Sequence, residues 1–134
     1  MIVLTLPFPP STNGLFVNGQ KGRFRSSKYD DWIMWAGTEI NRQRPPKALG
    51  PVSLTFEYQE PKTKIKWDIS NRLKSVEDLL VKHGVIEADD YTIVTKITAF
   101  INREVEGVRI TIEPLFNRVS EASPGQTNER IYRR

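Results

Sequence analysis

The apolar residues of this chain change period abruptly between residues 52 and 82, and that change limits what the chain can fold into. Val52, Leu54, Phe56 and Tyr58 alternate with polar side chains, the pattern of a strand with one buried face. Ile69, Leu73, Val76, Leu79 and Leu80 then recur at helical spacing. They predict a helix over 69–82, ended by His83 and by Gly84, which can take the left-handed position after the last turn. Upstream, Ile2 to Leu6 alternate and break at PFPPSTNG. Ser26 or Ser27 is placed to cap a helix from about Lys28, with Asp30 and Asp31 in its first turn. Tyr29, Trp32, Ile33, Ala36 and Ile40 form its buried stripe, and Pro45-Pro46 ends it. Downstream, Tyr91 to Ile101 reads as a strand with Ile93, Thr95, Ile97, Ala99 and Ile101 on one face. REVEG turns at Gly107, and Val108, Ile110 and Ile112 alternate back, so these two strands are expected to pair antiparallel. The order β-α-β-α-β-β predicts an α+β fold: a small mixed or mostly antiparallel sheet with two helices packed on it.

One domain is expected over residues 1–115, and the aperiodic residues 116–134 read as a flexible polar tail. Residues 8–27 form a long connection rich in Pro, Gly, Ser and Asn, the kind of loop that carries function or moves. Trp32 and Trp35 together cover more surface than one helix face needs, which points to a core contact and an interface. The chain has no cysteine and one histidine, His83, excluding disulfides, thiolate metal sites, cysteine nucleophiles and multi-His centres within one chain. No apolar run approaches the roughly 20 residues of a membrane span, and the N-terminus lacks a basic leader. A cytoplasmic protein is expected.

Twenty basic and sixteen acidic side chains leave a net charge of +4. Their placement matters more than the total. Lys21, Arg23, Arg25 and Lys28 precede the first acidic residue, Asp30, and Lys62, Lys64 and Lys66 lead into Asp68. Basic groups beside acidic ones suit a phosphate-backbone ligand, although lysines along an edge also serve solubility. Phe24 between Arg23 and Arg25 suits phosphate contact combined with base stacking, unless the segment is an ordinary solvated loop.

The chemistry concentrates between Trp67 and Asp90. Asp68 stands before the second helix, Asn71, Lys74 and Asp78 lie along its polar side, and Asp89 and Asp90 follow it. Each has a structural alternative. Asp68 can cap the helix, Asp89 and Asp90 can serve a turn, and Asp78 can pair with Lys74 or Lys82. If the chain folds back, carboxylates and one lysine share a small volume. Oxygen-only ligands suit Mg²⁺ or Mn²⁺, and such a set fits metal-dependent phosphodiester chemistry with lysine offsetting developing charge.

Taken in order, these residues resemble the RusA family of Holliday junction resolvases of bacteria and their prophages. Family members show Asp-x-Asp-Asn, a lysine three positions later, an aspartate further along the helix, and an acidic pair before a strand. Asp68, Asn71, Lys74, Asp78, Asp89 and Asp90 match. Members also open on a strand and Pro-Pro-Ser-x-Asn, here Pro9, Pro10, Ser11 and Asn13. The resemblance covers about residues 2–115. It implies a homodimer that binds four-way DNA junctions and nicks two opposing strands in DNA recombination and repair, using Mg²⁺ or Mn²⁺. Carried over, Asp68 and Asp90 are catalytic metal ligands, with Asp89 and Asp78 as further candidates. Lys74 contacts the scissile phosphate, and Asn71 orients a ligand or DNA. Asn13, Lys21, Arg23, Arg25, Lys62, Lys64 and Lys66 are the expected DNA contacts. Two departures stand out. Ser70 replaces the second aspartate of the motif, which leaves a catalytically weakened DNA-binding protein as one alternative unless Glu77, Asp78 or Glu87 compensates; a hydrolase of other nucleic acids is another. IEADD is one residue longer than the common form, so counting from Gly84 selects Asp89 and counting from the strand selects Asp90. The strand is the firmer reference, which favours Asp90.

Overall fold

A computed structural model describes residues 1–19 and 22–115 of the chain. Its elements in order are β1 (Ile2–Leu6), a 3₁₀ turn (Thr12–Gly14), β2 (Phe16–Gly19), β3 (Gly22–Arg25), α1 (Ser27–Gln43), β4 (Val52–Tyr58), a second 3₁₀ turn (Ile69–Arg72), α2 (Lys74–Lys82), β5 (Val94–Ile101) and β6 (Val108–Pro114). The expected α+β architecture is present: two helices pack on a mixed sheet of order β1-β6-β4-β5, and β2 and β3 form a separate two-stranded hairpin. The tail expected at 116–134 lies outside the described residues.

The sheet is built from rows of apolar side chains that run across all its strands. Ile2 faces Ile112, Ile112 faces Leu54, and Leu54 faces Ile97; Leu4, Ile110, Phe56 and Ala99 form the next row, and Leu6, Val108, Tyr58 and Ile101 the third. Helix α1 lays Tyr29, Trp32, Ala36 and Ile40 into the same core, and α2 contributes Val76, Leu79 and Leu80. Burying each such side chain stabilises the fold by roughly 1.5–3 kcal/mol. The rows fail only at β5, where Ile97 and Ile101 remain 41% and 38% exposed.

Helix α1 matches its sequence signals. Ser26 caps it, its hydroxyl accepting from the Tyr29 amide at 3.1 Å, and Arg44 ends it in the left-handed conformation before Pro45. Its last residue also protects the sheet. The Gln43 amide donates to Thr5 O and accepts from Thr5 N, covering backbone groups of the edge strand β1 that would otherwise stay open.

Four expectations need correction. The stretch 69–82 is not one helix: a 3₁₀ turn ends at Arg72, and α2 begins at Lys74. Residues 8–27 are not irregular throughout, because they contain a 3₁₀ turn and the β2–β3 hairpin. The strand expected from Tyr91 begins at Val94, since 91–93 form a turn. Finally, β5 and β6 do not pair with each other. They flank β4, β5 running parallel to it and β6 antiparallel, so the link 102–107 crosses the end of β4. Hydrogen bonds hold that crossing: Asn102 N donates to Tyr58 O, Gln59 N to Gly107 O, and Gly107 N to Gln59 Oε1.

Candidate active site

The first turn of α2 begins with Lys74, whose side chain reaches two carboxylates. Its Nζ lies 3.1 Å from Asp78 Oδ1, one helical turn on, and 3.2 Å from Asp89 Oδ2, beyond the helix. The chain therefore does fold back after α2, and it does so through buried residues: Val85 and Ile86 enter the core, and Val85 N bonds Leu80 O. The two carboxylates hold the ammonium above the usual lysine range, Asp78 most strongly. Glu77 lies half-buried alongside; burial first, then the Asp89 charge, raises its carboxyl above the usual range.

Asp68 is the N-cap residue of the 3₁₀ turn, yet its side chain makes no capping hydrogen bond. The carboxylate is exposed, and its one hydrogen bond among the described residues comes from Asn71 Nδ2 at 3.5 Å. Capping thus does not account for the aspartate. The backbone beneath it is fixed from several sides. Asn71 O accepts from Thr12 Oγ1 at 3.0 Å, which ties this turn to the Ser11-Thr12-Asn13 turn. Arg72 donates from Nη1 to Pro9 O at 2.7 Å, and Tyr58 OH donates to Arg72 O. The Arg72 guanidinium stacks over Phe8 and Trp67 at 4.9 and 5.5 Å, an arrangement worth more when desolvated. None of Phe8, Tyr58, Trp67 or Arg72 carries a sequence signal of this role, because their meeting depends on the tertiary fold. Tyr29 was also read only as core. Its phenol lies within electrostatic reach of Asp78 and Lys74, and burial first, then Asp78, raises it.

The acidic pair divides its work. Asp90 Oδ1 accepts from Thr92 N at 2.8 Å and from the Thr92 hydroxyl, while its carbonyl takes the amides of Ile93 and Val94. These bonds start β5, and the Thr92 hydroxyl above all holds the Asp90 carboxyl below the usual range. The residue brought to Lys74 is Asp89, although the strand count favoured Asp90. Of the expected DNA contacts, Asn13, Arg23, Arg25, Lys62, Lys64 and Lys66 are all exposed. Arg25 is bonded to Asp30 and Lys62 to Glu106. Lys21 lies outside the described residues.

All the candidate donors are oxygens, a set that suits a hard dication. Asp78 and Asp89 each keep a second oxygen beyond the one that meets Lys74. Among the described residues, however, no three acidic or imidazole groups gather closely enough to hold an ion. In donor chemistry the residues fit Mg²⁺; in this arrangement the ammonium of Lys74 lies between two of them.

A family model described as Endodeoxyribonuclease RusA matches residues 7–113, well over half of the chain and every element of the site. The chain belongs to the RusA family. A comparison with curated proteins gives no match. By family this chain is an endodeoxyribonuclease, and RusA proteins act on Holliday junctions. Among the described residues, no helix of this RusA chain is long and apolar enough to cross a membrane.

Proposed function

We propose that this RusA-family chain is a divalent-metal-dependent endonuclease that binds four-way DNA junctions as a homodimer and nicks two opposing strands symmetrically, in the cytoplasm of a bacterium or a cell infected by its phage. The observation that carries this reading is the Lys74 ammonium held between Asp78 and Asp89, next in the chain to a turn whose exposed Asp68 carboxylate makes no capping bond. Asp68 and Asp89 would hold Mg²⁺ or Mn²⁺, with Asp78 in reserve. When bound, such an ion polarises a phosphoryl oxygen and acidifies water. Lys74 supplies the charge that faces the scissile phosphate as negative charge builds in the transition state. The Asn71 amide holds the Asp68 carboxylate, and Arg72 with its aromatic neighbours keeps the turn beneath both from shifting.

Dimerisation draws support from β5, where Ile97 and Ile101 stay largely exposed at the end of core-facing rows. The basic residues around the site supply the salt-dependent attraction to phosphate. Cleavage of a synthetic four-way junction with and without Mg²⁺ tests the proposal: paired nicks that disappear with chelator are expected. Junction binding with no nicking at any Mg²⁺ or Mn²⁺ concentration would instead establish the second reading, a binding protein of the same fold. Exposed Ser70 in place of an acid, and the absence of a gathered trio of acids among the described residues, favour that reading. Ser70→Asp separates them, since a missing ligand restored should increase cutting at low Mg²⁺.

A further inference from the structure

The β2–β3 hairpin stands beside this site and exposes every residue of both strands. Its opposed pairs are Phe16–Arg25, Val17–Phe24, Asn18–Arg23 and Gly19–Gly22. Directly opposed residues share a face, so one face carries Phe16, Asn18, Arg23 and Arg25 and the other carries Val17 and Phe24. The first face is anchored. Phe16 meets Tyr29 edge-to-face at 5.9 Å, the Arg23 guanidinium lies 4.8 Å over the Phe16 ring, and Arg25 Nε bonds Asp30 Oδ1 at 2.7 Å. The base is closed as well: Ser26 N bonds Leu15 O, and Ser26 Oγ donates to Gly14 O.

Among the described residues, the second face has no such partners. Val17 is 52% and Phe24 50% exposed. The Phe24 ring lies over Gly19, where an added Cβ would meet its Cε2 at 2.6 Å. A two-stranded hairpin is marginal on its own in water, yet this one is fixed on one side and turns an aromatic ring outward on the other. It is also joined to the catalytic turn, since Thr12, just upstream of β2, donates to Asn71 O.

We propose that Phe24, backed by Val17, determines specificity for branched DNA by stacking on a base face exposed where the duplex arms part. The inference rests on the function proposed above. Charge selects the occupant: Arg23 and Arg25 flank Phe24 in the strand and Lys28 follows three residues after Arg25, while the nearest acid in sequence, Asp30, is bonded to Arg25. An anionic ligand that also offers flat apolar faces is nucleic acid. Intact duplex hides those faces, whereas a branch point exposes them.

The test uses the full chain as wild type, Phe24→Ala and Phe24→Trp, with binding measured to a four-way junction and to linear duplex at matched salt. A junction carrying 2-aminopurine at the branch reports stacking directly. Phe24→Ala should weaken junction binding by about 5- to 100-fold, leave duplex binding nearly unchanged and abolish the fluorescence change. Phe24→Trp should restore both. Gly19→Ala, which displaces the ring without removing it, should weaken junction binding in the same selective way. Equal loss on junction and duplex, no loss on either, or a change in sedimentation mass overturns the inference, the last making the hairpin a contact between copies. If the wild type itself fails to prefer the junction, the functional reading falls before any variant is compared; loss of nicking alone leaves the binding test intact.

Discussion

Asp89 and Asp90 are adjacent, chemically identical and differently employed. The sequence alone could not assign them, because the count from Gly84 and the count from the strand disagree. One local signal was available: an aspartate two residues before a threonine in a turn commonly accepts that residue's amide, and Asp90 does so with Thr92. We expect Asp89→Asn to reduce junction cutting at least about 100-fold without lowering the thermal midpoint. Asp90→Ala should lower the midpoint and keep most of the cutting. The reverse pattern, read from paired nicking and melting experiments, would return the catalytic role to Asp90. Asp68 presents a second choice, between cap and ligand. Its side chain makes no cap bond, so Asp68→Asn should abolish cutting while junction binding stays equal or tightens, because a charge that repels phosphate is gone. Wild-type cutting by that variant would remove Asp68 from the site.

Elements whose signals are local were legible, including their caps. Ser26, the stripe from Tyr29 to Ile40 and the alternation in β4 all depend on near neighbours in sequence. The partition of 69–82 was not legible, because Leu73 fits a helical stripe whether or not the turn before it is 3₁₀; what holds that turn is Arg72 reaching Pro9 across the fold. Nor was the β5–β6 topology, because a short link with a glycine suits a hairpin as well as a crossing over the end of β4. The glycine itself is informative once placed. Gly107 has φ +72°, and a Cβ there would lie 2.2 Å from Leu6 O, so Gly107→Ala should destabilise the fold by more than about 1 kcal/mol, measured by denaturant unfolding. A smaller loss would mean that the crossing relaxes. Between the helices, His83 packs against Gly37, its Nε2 3.1 Å from the position of an added Cβ. Burial first, then Lys82, lowers its pKa below the ordinary 6.5. A group depressed in the folded state supports stability above its unfolded value and withdraws that support as pH falls through its folded value. Acidification below about 6.5 should therefore destabilise the wild type, and His83→Gln should flatten that limb of the melting-temperature profile. An unchanged profile would assign the acid loss to carboxylates such as Glu57, whose bonds to Arg109 and Asn102 hold it low.

At the level of the molecule, the sheet is complete on one side and open on the other. The β1 edge is covered by Gln43, whereas among the described residues β5 pairs only with β4. The rows ending in Ile97, Ala99 and Ile101 continue the core-facing rows of β4, yet Ile97 and Ile101 stay largely exposed where Leu54 and Tyr58 beside them are fully buried. An apolar strip continuous with a core, next to an unpaired strand edge, favours association with a second surface of the same kind, and a two-fold contact is the commonest way to close it. The symmetric nicking proposed above would also call for two active sites related by such an axis. Ile97→Glu places a charge in that strip without disturbing the buried end of its row, so the variant should remain folded. We expect the wild type to sediment as the proposed dimer and the variant as a monomer at the same concentration, with the paired nicks proposed for a junction replaced by single, uncorrelated ones. Dimer mass with coupled nicking intact would exclude this face as the interface and leave the exposed Trp35 and Met34 on α1 as the next surface to charge.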